Sequence, residues 1–85
     1  MIGRIVCSVA GRDKGCFMAV LEMDKGKAFV CDGKARPLEK PKAKNIKHLK
    51  FTNVNLTKEQ LATNRSLRRA LNEYSGKVLC IKEEI

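Results

Sequence analysis

The sequence predicts a small, mainly β fold: a barrel of about five short strands, with one or two short α-helices packed on it. Three observations carry this. Short apolar runs are punctuated by glycine-containing turns, at spacings typical of small barrels. A capping-box pattern and a helical apolar stripe follow them. The chain has 85 residues, which is room for one core and one domain. We expect the barrel over residues 1–52 and a helical extension and tail over 53–85, packed on the same domain.

Ile2 to Val9 reads as the first strand, with Ile5, Cys7 and Val9 on one face. The loop Ala10-Gly11-Arg12-Asp13-Lys14-Gly15 follows, two glycines bracketing three charged residues. Glycine lets the chain reverse sharply there. Phe17 to Leu21 is apolar on both faces and reads as a buried central strand. Met23 to Lys27 is a turn and Ala28 to Cys31 a third strand. Asp32-Gly33 signals a tight hairpin into a short fourth strand, Lys34 to Leu38, with Pro37 confining it to an edge. Glu39 to Asn45 is too polar to bury and reads as extended connector. Ile46 to Phe51 reads as the fifth strand.

Thr57 and Gln60 fit a capping box. Leu67, Ala70, Leu71 and Tyr74 fall on one helical stripe, and Leu61 lies off it. The spacing predicts a turn at 58–62, a break near Thr63-Asn64, and a helix from about 64 to 75 stopped by Gly76. Val78 to Ile81 reads either as a strand or as an extended tail.

The formal charge is +9, from 18 basic and 9 acidic residues. Such an excess suits a polyanionic partner. It is uneven: residues 34–50 carry seven basic side chains (Lys34, Arg36, Lys40, Lys42, Lys44, Lys47, Lys50) against Glu39 alone. A run that dense gains by meeting phosphates and releasing their counterions. A lysine-rich solvated edge, protecting a strand from aggregation, would need fewer charges. Arg65, Arg68 and Arg69 form a smaller basic group. They either grip phosphates or pair with Glu73, Glu83 and Glu84.

Phe17, Phe29 and Tyr74 lie in apolar positions and read as core, so base stacking on aromatics is not the expected mode. Phosphate and groove-shape contacts to a folded RNA fit better. Cys7, Cys16, Cys31 and Cys80 match no zinc spacing. We expect all four as reduced thiols in a cytoplasmic protein. His48 stands alone among lysines and forms neither a triad nor a metal site. No signal peptide, lipidation motif or run of transmembrane length is evident, so no membrane partner is expected. The residues point to no cofactor and to no enzyme.

Ile5 to Val20, with its glycine-centred basic loop between two apolar strands, resembles a KOW motif. With Ala28 to Val30, Asp32-Gly33 and Lys47-His48-Leu49, the chain is similar to KOW-containing large-subunit ribosomal proteins, the fourteen-e group, and to stand-alone KOW-domain RNA-binding proteins. The resemblance covers about residues 2–52. It implies an SH3-like barrel whose first loop contacts RNA, usually ribosomal RNA. Gly11 would shape that loop, Arg12 and Lys14 would contact phosphate, and Arg4, Lys34 and Arg36 match basic positions on neighbouring strands. Adding the charged run gives an expected RNA-binding set of Arg4, Gly11, Arg12, Lys14, Lys34, Arg36, Lys40, Lys42, Lys44, Lys47, His48 and Lys50, with loop 10–15 and segment 34–50 forming one basic surface. The expected partner is RNA of the large ribosomal subunit, with ribosomal or transcription proteins as further partners and the chain itself a monomer. The alternative is a protein-interaction module of the transcription or translation apparatus.

Overall fold

The computed structural model describes residues 2–77. The expectations for Val78 to Ile81, for the Cys80 thiol and for pairing with Glu83 and Glu84 lie outside the described residues. The fold is mainly β, with five antiparallel strands in one sheet and a C-terminal helix. The strands are β1 (Arg4–Ser8), β2 (Phe17–Asp24), β3 (Lys27–Cys31), β4 (Lys42–Asn45) and β5 (Leu49–Asn55). A 3₁₀ turn, η1 (Ile46–His48), precedes β5, and the helix is α1 (Asn64–Lys77). The sheet order is β4-β3-β2-β1-β5.

The sheet buries both faces. On one, Val6, Met18, Val20, Ala28, Val30 and Leu49 form a core, with Ile46 and Phe51 packed against it. Every member comes from the sheet or η1, so the sheet curls around its own side chains. On the other face Ile5, Ala19 and Cys31 meet Leu67 and Leu71 of α1. Two-sided burial explains why β2 reads as apolar on both faces. Phe17 meets Tyr74 edge-on, with ring centroids 5.0 Å apart, an arrangement that aromatic quadrupoles favour.

The helical readings hold at the start of the segment and along its apolar stripe, but not at its end. Thr57 and Gln60 satisfy each other's backbone, the Thr57 N–H donating to Gln60 Oε1 (2.8 Å) and the Gln60 N–H to Thr57 Oγ1 (3.2 Å). The break at Thr63 is itself a cap, for the Ser66 N–H donates to Thr63 Oγ1 at 3.0 Å. Leu67, Ala70 and Leu71 are buried and Tyr74 partly so. Gly76 does not stop α1, which continues to Lys77.

The fourth strand is not where the sequence placed it. Lys34 to Leu38 is irregular, because the Asp32 carboxylate accepts the N–H groups of Lys34 (2.8 Å) and Arg36 (2.9 Å). That local turn replaces a ladder. Gly33 (φ +79°) packs directly on α1: a Cβ there would lie 2.3 Å from the Asn64 carbonyl oxygen and 3.2 Å from the Arg68 nitrogen. The fourth strand is instead Lys42–Asn45, within the polar stretch read as connector, and pairs with Lys27 to Val30 of β3. Of the expected fifth strand, Ile46 to His48 form η1, and β5 continues to Asn55.

The thiol expectation also needs correction. Cys7 takes part in a disulfide, while Cys16 and Cys31 are free. Burial, reinforced by the charges of Asp32 and Glu39, pushes the Cys31 pKa up to about 12.

Candidate nucleic-acid interface

The β1–β2 loop is held closed by its own backbone. The Gly15 N–H donates to the Ser8 carbonyl (2.8 Å) and the Ser8 N–H to the Cys16 carbonyl (3.0 Å). Gly11 takes φ +86°, which L side chains rarely adopt. Arg12 and Lys14 are exposed on this loop.

Underneath lies a buried polar cluster. The Lys44 ammonium donates to Asp13 Oδ1 and, at 3.0 Å, to the Ala10 carbonyl. The Ser8 hydroxyl lies 2.8 Å from Asp13 Oδ1 and 2.9 Å from the Ala10 carbonyl oxygen. Ser8 is fully buried, and the Lys44 and Asp13 side chains are only 7% and 21% exposed. Burial by itself would raise the Asp13 pKa. The hydrogen bonds from Lys44 and Ser8, with the Lys44 charge, outweigh it and hold the carboxyl below its ordinary value. Lys44, expected on the basic surface, is therefore an internal strut from β4 to the loop. Its ladder partner Ala28 belongs to the first core, so strand alternation turns Lys44 inward.

The β2–β3 turn lies at the other end of β2, but η1 links it to this loop. The Val9 N–H donates to the His48 carbonyl (2.9 Å), joining the loop to η1. The Ile46 N–H donates to the Gly26 carbonyl (3.0 Å), joining η1 to the β2–β3 turn. Asn45 caps η1 by accepting the Lys47 N–H at 2.9 Å. That turn is a two-residue reversal with positive φ at Lys25 and Gly26. Arg12, Lys14, Lys25, Lys27, Lys47 and His48 are thus exposed around one rim, offset by Asp24. Lys50 begins the adjoining stretch of β5, opposite Cys7. Lys25 and Lys27 escaped the sequence reading, because residues 1–33 are close to neutral as a block. Only the Ile46–Gly26 hydrogen bond and the β3–β4 ladder bring them here.

The remaining expected residues stand elsewhere. The Arg4 guanidinium donates to Asn55 Oδ1 (2.7 Å) and the Thr52 carbonyl (3.0 Å), bracing β1 against β5. Lys34, Arg36 and Lys40 are exposed on the loop that packs against the start of α1. There the Leu38 N–H donates to Asn64 Oδ1 (2.7 Å), and Asn64 Nδ2 donates to Glu39 (3.0 Å), which holds the Glu39 carboxyl below its ordinary pKa. Lys42 is half-buried at the start of β4. Segment 34–50 is accordingly divided, its first part tied to α1 and its last part to the loop.

Among the described residues no cluster of His, Cys, Asp or Glu could hold a metal ion, and no helix is long and apolar enough to cross a membrane. No protein-family model matches the chain, and no curated protein is significantly similar to it.

Proposed function

We propose that this protein is a binding module, not an enzyme, and that it binds structured RNA through the phosphate backbone. The KOW resemblance suggests ribosomal RNA of the large subunit, and with it a cytoplasmic site of action. The Cys7 disulfide removes the argument from reduced thiols, so that location rests on the partner. The single observation that supports the reading most is the braced loop. Arg12 and Lys14 are exposed on a loop whose root is fixed by the Lys44–Asp13–Ser8 cluster, and η1 adds Lys47 and His48 beside it. Cations on a rigid frame lose less freedom on meeting phosphate than cations on a mobile loop.

The test is titration of a labelled RNA hairpin with the full chain between roughly 50 and 200 mM salt. Affinity should fall steeply with salt. Arg12→Gln, Lys14→Gln and Lys47→Gln together should flatten the slope by about one per side chain removed. An unchanged slope would take the rim out of the interface. Affinity for a protein partner that tolerates salt, with none for RNA, would favour the protein-interaction alternative.

A further inference from the structure

The rim does not use the outer face of α1. Leu67, Ala70, Leu71 and Tyr74 point that helix's apolar stripe at the sheet. Arg65, Arg68 and Arg69 are exposed on it, and with Asn72 and Glu73 they line a shallow groove. Arg65 is three and four residues before Arg68 and Arg69, so these side chains are neighbours on the helix surface. Among the described residues none of the three has a carboxylate within 4.0 Å. Among the described residues, then, the pairing with Glu73 that the sequence left open is not formed. The approach of Gly33 to Asn64 and Arg68 adds the exposed Lys34 and Arg36 at the same end of the helix. Against these five cations stand Glu73, Glu39 and Asp32; Glu39 is already hydrogen-bonded to Asn64, and Asp32 to the backbone of Lys34 and Arg36.

This basic face lies on the helix that covers one side of the sheet, whereas the rim is tied to the opposite side through Lys44 and the first core. Resting on the RNA-binding reading above, we infer that α1 carries a second phosphodiester-binding face, and that the protein bridges two backbone segments of RNA. Guanidinium groups suit this role because each presents a planar fork of donors to phosphate oxygens. Two faces on opposite sides of one sheet cannot follow a single straight groove. A second RNA segment, or a folded-back one, completes the contact.

The experiment uses the full chain and two short RNA duplexes, one carrying a fluorescence donor and the other an acceptor. Energy transfer reports bridging, and anisotropy of one duplex reports simple binding. The native chain should bind and bridge. Arg65→Gln, Arg68→Gln and Arg69→Gln together should keep binding through the rim and lose most of the energy transfer. The salt slope of bridging, read from energy transfer, should fall by about three in the triple variant. All three side chains are exposed, so the variant should melt like the native chain. The rim variant should also lose bridging, while retaining weak binding through α1. Transfer and slope unchanged in the arginine variant would overturn the second face while leaving the rim reading intact. Failure of the native chain to bind either duplex would overturn both.

Discussion

Lys44→Met tests the brace beneath the loop. The substitution preserves most of the side-chain length, removes the ammonium, and leaves Asp13 part-buried with only the Ser8 hydroxyl as a side-chain partner. Asp13 Oδ2 is already buried without a hydrogen bond, so the carboxylate has little further compensation. Breaking a fully buried pair costs about 3–5 kcal/mol. Asp13 is 21% exposed, and some water reaches it, so we expect about 2–3 kcal/mol here. For a domain of this size that corresponds to a fall in Tm of roughly 10–20 °C. The chain has no tryptophan, so melts are best followed by circular dichroism. The pH dependence separates this cause from lost packing. In the native chain the Asp13 pKa is lowered on folding, so its contribution is present above the unfolded value of about 3.9 and disappears as pH falls through the folded value. Without Lys44, burial is opposed only by the Ser8 hydroxyl and the local backbone, so the folded pKa rises. The variant's penalty is then fullest near neutral pH and shrinks as Asp13 takes up a proton. The gap in Tm between native chain and variant should therefore narrow towards pH 4. The double variant with Asp13→Asn should lose less than the sum of the two single changes, by about 1–3 kcal/mol. A gap under about 0.5 kcal/mol at pH 7, or one equally wide at pH 4, would refute the reasoning.

Gly33→Ala should destabilise the fold by more than about 1 kcal/mol, since the new methyl meets helix backbone and the residue must hold a positive φ; urea midpoints measure it. Thr63→Ala removes the cap of α1 and should cost about 1 kcal/mol, with Thr57→Ala having a similar effect at the preceding turn. In a thiol-labelling time course at pH 8, Cys16 should react promptly. Cys31, fully buried with its pKa raised to about 12, should react only as the chain unfolds.

Local pattern alone determined the apolar β1 and β2 runs, the Thr57–Gln60 capping box, and the stripe that seats α1 on the sheet. Each rests on residues a few positions apart, whose mutual geometry is set by strand alternation or helical period. The exposure of Arg12 and Lys14 at the loop tip was legible for the same reason. Tertiary structure decided the rest. Lys42–Asn45 is a strand because Lys27 to Val30 offer it a ladder, and strand preference depends on such partners more than on the segment itself. Lys44 is buried because Asp13, far away in the chain, supplies the charge that makes burial tolerable. The Asp32 turn and the contact of Gly33 with α1 divide the basic run between two faces. Charge density along a chain records how many cations there are, and only the fold determines which of them share a surface.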